Sequence, residues 1–280
     1  MDYSKDLIGK KIIIFGASRG IGFNIASSLL AKGADVIISS GNENNLNDAL
    51  LRLKQKHPTK NVDKVIADLS NHETLDDALS PLLNQKFDAM ILSAAVLGPS
   101  SGDFSKTDLE DFISAFNVNL FGNVKLVHFF LEKNLLHKNS KILIMSGGIS
   151  SPDPYFIAYS STKHALNGFA YSLSYQLSAR EIWVNSILPG SYNTDINKTR
   201  IERGPESVGI TNFRISLARA NEDDTEKYQK LNQLIEFLCS SSSNGVYGRL
   251  ISAQYDDWEN NVERLKSDKD DLYKIIRKTG

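Results

Sequence analysis

Tyr159 and Lys163 stand four residues apart in Tyr159-Ser160-Ser161-Thr162-Lys163, the one place in the chain where a lysine follows a tyrosine at that interval. On a helix this spacing puts both side chains on one face, so an ammonium lies close to a phenol and favours its ionised form. A pair arranged in this way is suited to moving a proton near neutral pH. The same spacing also describes an exposed helical pair with no joint role, since surface pairs of this kind contribute little. The elements around the pair have to decide.

Residues 11–15 form a short apolar run rich in β-branched side chains, followed by Gly16-Ala17-Ser18-Arg19-Gly20-Ile21-Gly22 and a helical pattern over residues 23–31. Strand, glycine turn and helix therefore come in order. Gly16 allows a sharp exit from the strand and Gly20 lets backbone approach a pyrophosphate. Gly22 lets the helix sit close to the sheet, with the helix N-terminus turning N–H groups toward phosphate. The spacing is G-x-x-x-G-x-G, not G-x-G-x-x-G, and the alternative is a glycine-rich connection that binds nothing.

Residues 88–95, 141–148 and 183–190 read as three more buried strands, each ending in small, polar or turn residues. Ligands of an open parallel sheet bind beyond the carboxyl ends of its strands. The segment from Gly16 to Gly22, the small residues Ser93, Ala94 and Ala95, Ser146, and Pro189-Gly190 should therefore converge on one crevice. The expected fold is α/β, a single Rossmann-like doubly wound parallel sheet of about seven strands with helices on both faces.

From about residue 9 to residue 252 this ordered set resembles the short-chain dehydrogenase/reductase family, specifically its classical subfamily. The glycine turn matches the family's T-G-x-x-x-G-x-G with Phe15 in place of Thr, and Asn117-Val118-Asn119-Leu120-Phe121-Gly122 is similar to its N-x-x-G helix segment. Ser146 lies thirteen residues before Tyr159, as the family's catalytic serine does, and Asn185 to Gly190 with Thr194 resembles its N-x-x-x-P-G-x-x-x-T stretch. The family's N-N-A-G strand end appears as Leu92-Ser93-Ala94-Ala95. The Phe15 and Ser93 departures remove two polar groups that brace neighbouring strand ends, which suggests a paired replacement by apolar packing.

The resemblance implies the roles. Tyr159 is expected as general acid in reduction and general base in oxidation, with Lys163 lowering its pKa and holding the nicotinamide ribose. Ser146 is expected to donate to the substrate oxygen, and Asn119 to sit in a helix distortion and hold a water linking Lys163 to solvent. Cofactor contacts are expected from Gly16, Ser18, Arg19, Gly20, Ile21, Gly22, Ser40, Asp68, Leu69, Ala94, Tyr159, Lys163, Pro189, Gly190 and Thr194. Tyr155, Tyr192, Ser146 and Tyr159 are expected at the substrate. Ser146 lacks the G-x-S-x-G elbow of a serine hydrolase, and no His and carboxylate spacing suits a metal.

Nicotinamide choice turns on the end of the second strand, where an acid would bind the ribose 2′-hydroxyl and repel a 2′-phosphate. Ser40 occupies that position, no acid follows until Glu43, and Arg19 stands where members preferring NADP often carry a basic residue. The expectation is NADP(H) in preference to NAD(H), moderated by Gly41 where many members have arginine. The leading function is an NADP(H)-dependent interconversion of a ketone or aldehyde with an alcohol. The alternatives are an NAD-dependent sugar or polyol dehydrogenase in a surface-polysaccharide or nucleotide-sugar pathway, and a non-catalytic nucleotide-binding sensor.

With 280 residues, 41% hydrophobic and 23% charged, the chain can bury a large core as one domain. The single cysteine, Cys239, excludes an internal disulfide and suits a reducing compartment. The first ten residues lack an apolar leader, no run reaches membrane-spanning length, and a net charge of −1 offers no electrostatic case for nucleic acid. A cytoplasmic enzyme acting on a small molecule is expected. Helices over residues 109–133 and 160–179 carry broad apolar faces, and the resemblance implies that they pair between subunits of a homodimer or homotetramer.

Two regions lie outside the shared core. Residues 191–227 fall where the family has a mobile substrate lid, and their Arg200, Arg203, Arg214 and Arg219 either meet an anionic substrate or are solvated surface charges. Residues 256–280 form an extension with a helical pattern through Leu265, Leu272, Ile275 and Ile276.

Overall fold

Apolar runs bounded by turn residues alternate with helical stretches along the whole chain, and this alternation builds a parallel sheet by successive crossovers. The computed structural model describes residues 3–147 and 152–275. After a single turn, α1 (Ser4–Leu7), come β1 (Lys11–Phe15), α2 (Gly20–Ala31), β2 (Asp35–Ser40), α3 (Glu43–Lys56), β3 (Val62–Ile66), α4 (Leu75–Leu79) and β4 (Phe87–Leu92). The second half runs α5 (Leu109–Phe116), α6 (Asn123–Glu132), β5 (Leu136–Met145), α7 (Ile157–Ser178) and β6 (Trp183–Leu188). It ends with α8 (Asp195–Val208), α9 (Ile210–Arg219), α10 (Thr225–Cys239), β7 (Leu250–Ser252) and α11 (Val262–Lys266).

Seven strands form one sheet in the order β3-β2-β1-β4-β5-β6-β7, with every neighbouring pair parallel. Alternate residues of each strand feed opposite cores. Ile12, Ile14, Val36, Ile38, Ile91 and Leu143 pack with α2, α3 and α10 residues, while Ile13, Phe15, Met90, Leu92, Ile142 and Ile144 pack with those of α4, α6 and α7. Burial on both faces explains why the strands read as continuous apolar runs. The order reverses between β1 and β4, so the crevice opens at the carboxyl ends of those two strands.

Phe15 is buried and packs edge-on against Phe130 at 5.9 Å between ring centroids, while Ser93 N–H donates to the Phe15 carbonyl at 2.9 Å. Apolar packing and a backbone bond thus occupy this strand junction. The helix expected over residues 109–133 is interrupted by a π-helical stretch, Asn117–Gly122, between α5 and α6. Gly122 passes so close to Leu69 that a Cβ there would lie 2.7 Å from the Leu69 Cβ. The strand expected to begin at Lys141 starts five residues earlier, with an irregular register between Phe87 and Ala89. Gly148, expected at its end, lies outside the described residues.

The C-terminal extension departs from its helical expectation. Only α11 and a short 3₁₀ turn are helical between residue 256 and the end of the described residues, and Ile276 lies outside them. Arg249, 2% exposed, explains the arrest. Its guanidinium donates to the carbonyls of Leu265 at 3.0 Å, Asp270 at 2.7 Å, Leu272 at 2.8 Å and Ser267 at 2.6 Å. Carbonyls that a continuing helix would turn along its own axis are turned inward to one cation. Beside it, Leu250 N–H donates to the Tyr273 carbonyl, so the tail covers the β7 edge.

Lys141 is buried in β5, and its Nζ donates to the Asn244 Oδ1 at 2.6 Å. Burial holds its ammonium down to about 7, whereas in an unfolded chain a lysine keeps its proton to about pH 10. Between those values the unfolded state binds more protons, so this residue's contribution to stability rises as pH climbs from about 7 to about 10. Lys141→Met is expected to stabilise the fold by about 1–3 kcal/mol at pH 7, net of the Asn244 bond, and by less at pH 10. Urea unfolding at the two pH values measures this, and an equal gain at both would exclude the buried charge as its cause.

Candidate active site

Beyond the carboxyl ends of β1, β2, β4, β5 and β6 lies a cavity of about 1060 Å³, large for a small-molecule site. The turn after β1 forms one wall. Gly16 has φ +80°, and a Cβ on it would lie 2.4 Å from the Ala94 backbone nitrogen; one on Gly22 would lie 2.2 Å from the Gly16 carbonyl oxygen. Gly20, at φ +57°, meets only the Thr194 methyl at 3.4 Å. Arg19 precedes α2 in an extended conformation and makes no side-chain cap, so the first N–H groups of the helix face the crevice with Ser18 and Ile21. This cradle suits a pyrophosphate.

Along the same floor, Ser40 and Gly41 end β2, and Asp68 and Leu69 follow β3. Asp68 accepts from the Ser70 N–H at 2.9 Å, and its carboxyl carbon would lie 3.1 Å from a Cβ on Gly41. An acid therefore does stand beside the end of β2. It arrives from β3, which is why the β2 sequence did not reveal it. Arg19 pairs with Asp195 in the first turn of α8 at 2.9 Å, both side chains being largely exposed. Exposed pairs of this kind are worth about 0–1 kcal/mol, so Arg19 is easily released to another anion.

At the other end, Tyr159 lies in the first turn of α7 and Lys163 one turn later, below the end of β5. Lys163 is 3% exposed; its Nζ donates to the Met145 carbonyl at 2.9 Å and lies 5.5 Å from the Tyr159 ring centroid. Burial holds the Lys163 ammonium down to about 8 and pushes the Tyr159 phenol above its ordinary value. The cation opposing that rise is Arg200. Lys163, to which the i,i+4 spacing assigned that role, stands beside the ring with its ammonium bonded to the strand carbonyl. Ser146 follows Met145 directly, and its N–H donates to the Ile187 carbonyl at 2.8 Å. Its buried Oγ has no hydrogen-bond partner among the described residues, as befits a donor held for a ligand oxygen.

Asn119 is fully buried in the π-helical stretch, and its carboxamide accepts from Val96 N–H and donates to the Val96 carbonyl, both at 2.8 Å. It also donates to Thr162 Oγ1 at 3.2 Å, while Thr162 donates to the Tyr159 carbonyl. Asn119 thus ties the loop after β4 to the turn that carries Tyr159. Its own carbonyl accepts from Asn123 Nδ2 at 2.8 Å.

The lid region is a pair of helices, α8 and α9, with α8 kinked at Gly204-Pro205. Asn197 Nδ2 donates to the Ser216 carbonyl at 3.0 Å and joins the two. Tyr155 lines the cavity and rests on Gly209, where a Cβ would lie 2.4 Å from the ring. Tyr192 borders the cavity, but its hydroxyl accepts from Gln254 Nε2 and has its one proton between the carbonyls of Pro189 and Lys227, at 3.0 and 3.1 Å. A phenol so committed supports the lid base, and what it leaves to the cavity is its ring. Pro189, Gly190 and Thr194 lie on the rim. Asp153 and Asn212 carried no sequence signal, because they belong to loop and lid segments of irregular pattern; of the four lid arginines that the sequence offered to an anionic substrate, Arg200 and Arg219 line the cavity.

A doubly wound sheet with a glycine cradle and a half-buried tyrosine beside a buried lysine on one crevice defines a nucleotide-dependent enzyme of the dehydrogenase type. The model of the short chain dehydrogenase family matches residues 10–204, and the chain belongs to the short-chain dehydrogenase/reductase family. Glucose 1-dehydrogenase of Gluconobacter oxydans is 26% identical over 92% of this chain and 97% of its own. The 3-oxoacyl-acyl-carrier-protein reductase FabG of Rickettsia felis is 31% identical over 88% and 95%. A short chain dehydrogenase of Shigella flexneri, solved with NADP, has the same fold, with a TM-score of 0.72 and 21% identity over 89% and 99% of the two chains. The protein is an NAD(P)-dependent oxidoreductase.

Because a Cβ at Gly22 would collide with backbone and not with a movable side chain, Gly22→Ala must shift α2 away from the turn. It is expected to cost about 1–3 kcal/mol and to weaken nicotinamide nucleotide binding at least tenfold. Thermal unfolding and fluorescence titration measure the two; unchanged binding would remove the close approach from the design of the site.

Proposed function

We propose that the protein reduces a ketone or aldehyde with NADPH, and runs in reverse as an alcohol dehydrogenase, with Tyr159 as general acid and base. The observation that carries this reading is the convergence of Tyr159, Lys163 and the unpartnered Ser146 Oγ on the far end of the glycine cradle. The bound nicotinamide supplies or accepts the hydride. Ser146 donates to the substrate oxygen, and Tyr159 delivers the proton to that oxygen as negative charge grows on it. Lys163 keeps positive charge beside the phenol and holds the ribose. Asn119, whose carbonyl has a second lone pair beyond the Asn123 bond, holds the water of the proton path.

NADP preference is supported by neutral Ser40 at the end of β2 and by Arg19, whose exposed partner Asp195 is easily exchanged for phosphate. NADP in the Shigella flexneri structure agrees with it. One observation favours an NAD-dependent sugar dehydrogenase: the Asp68 carboxyl beside Gly41, together with the likeness to a glucose 1-dehydrogenase. Exposed Leu109, Ile113 and Phe121 along the α5 side support pairing with a second copy in a homodimer or homotetramer. No described helix is long and apolar enough to cross a membrane, which accords with a cytoplasmic site of action.

Titration with NADPH and NADH is expected to give at least tenfold tighter binding of NADPH; tighter NADH would transfer the proposal to the sugar dehydrogenase. Tyr159→Phe is expected to bind cofactor as the unaltered protein does, with turnover lower by about 10²–10⁴, and full turnover in that variant would sink the mechanism. The Lys163 charge is present below about pH 8 and lost above it. Reduction, which consumes the pair's proton, should therefore decline in kcat/KM as pH rises through about 8. In Lys163→Arg, whose guanidinium stays charged, the decline should move to higher pH; one that stays in place excludes Lys163 as its source.

A further inference from the structure

Arg200 projects from α8 into the cavity, and its guanidinium carbon lies 4.7 Å over the centroid of the Phe156 ring. Phe156 is 1% exposed and three residues ahead of Tyr159. The Arg200 Nε is fully shielded from solvent with no hydrogen-bond partner, and the guanidinium makes no hydrogen bond or ion pair among the described residues. Two of the lid's other arginines differ. Arg203 donates to the Gly98 carbonyl at 2.7 Å, and Arg214 is exposed. Arg219, at the end of α9, also lines the cavity and likewise lacks a partner among the described residues.

Asp153 is the acid that acts on Arg200, but it lies beyond ion-pair distance. Its carboxylate is occupied by Tyr155 N–H at 3.1 Å and by Asn212 Nδ2 at 3.2 Å. Burial pulls the Arg200 pKa down, and Arg219 adds repulsion. Two partly shielded cations with no acid at ion-pair distance destabilise the fold unless a ligand completes them.

We infer that the substrate carries an anionic group, a carboxylate or a phosphate, close to its reacting carbonyl, and that Arg200 with Arg219 receives it. Planar guanidinium donors match paired anionic oxygens. Arg200 also lies within electrostatic reach of the Tyr159 phenol, so the anion docks a few bonds from the carbonyl that Tyr159 protonates. This inference rests on the proposed reductase reading for the carbonyl, but the anion site itself can be tested without turnover.

The binding test titrates the protein, preloaded with NADP⁺, with oxalate, inorganic phosphate and neutral 1,2-propanediol by calorimetry. Oxalate or phosphate is expected to bind and the diol not to, with binding weakened at least tenfold in Arg200→Gln and partly restored in Arg200→Lys. Thermal unfolding of Arg200→Gln should not fall below that of the unaltered protein, since an unpartnered cation is removed. The kinetic test pairs 2-oxo acids with their methyl esters, and dihydroxyacetone phosphate with dihydroxyacetone, which separates carboxylate from phosphate. The unaltered enzyme is expected to favour one anionic partner by at least tenfold in kcat/KM, and Arg200→Gln to lose that preference. No anion preference, or an Arg200→Gln that lowers both members of each pair equally, would overturn the inference. Arg200-dependent anion binding without reduction of any carbonyl would support the anion site and fault the reductase reading instead.

Discussion

No side chain fits between the turn after β1 and the end of β4. A Cβ on Gly16 would come within 2.4 Å of the Ala94 nitrogen, and one on Gly22 within 2.2 Å of the Gly16 carbonyl oxygen. The turn is held in that closeness by Gly16 N–H and Ala17 N–H, which both donate to the Ser39 carbonyl, and by Ser93 N–H on the Phe15 carbonyl. Three strand ends and the start of α2 are thereby fixed relative to one another by backbone alone. Helix α2 must then point its N-terminus into the crevice where the strand order reverses. A nucleotide seated on that N-terminus has its far end directed toward β5 and β6, where the titrating residues stand.

Backbone atoms hold that second half as well. The Met145 carbonyl accepts from Lys163, the Ile187 carbonyl fixes the Ser146 N–H, and Val96 offers both of its backbone groups to Asn119. Strand carbonyls move little, so side chains that bond to them inherit the rigidity of the sheet. Lys163 illustrates the consequence. Its position is secured by a carbonyl dipole without an anion nearby, so it keeps a depressed pKa of about 8, unlike a lysine neutralised by a carboxylate.

Much of this was legible in the chain because it depends on local pattern. Five strands were readable in the sequence, and the cradle from three glycines whose spacing reflects backbone contact. Ser146, Tyr159 and Lys163 were readable because strand end and helix face fix their directions. What escaped depended on contacts between segments distant in sequence. Asp68, already expected at the cofactor, also comes beside Gly41 at the end of β2, the Tyr192 hydroxyl is committed to Pro189, Lys227 and Gln254, and the tail's helix periodicity yields to Arg249. Periodicity reports an element's own preference, whereas one buried cation on another element can claim the carbonyls that element needs.

A buried arginine and a half-buried one separate what the fold uses for itself from what it holds for a ligand. Arg249 is enclosed by carbonyls turned toward it from the tail, and every direction in which its guanidinium can donate meets an acceptor of this same chain. Arg200 is shielded at Nε by Phe156 and the kinked α8, yet no described group accepts from it, and the nearest acid is occupied by Asn212 and Tyr155. Tail carbonyls can turn toward a cation because that segment gives up helix to do so. In the lid, α8 is kinked at Gly204-Pro205 and Asn197 ties it to α9 through the Ser216 carbonyl, and no described backbone carbonyl of either helix accepts from Arg200. No described residue completes Arg200, and the acceptor inferred for it is a substrate anion that enters through the cavity.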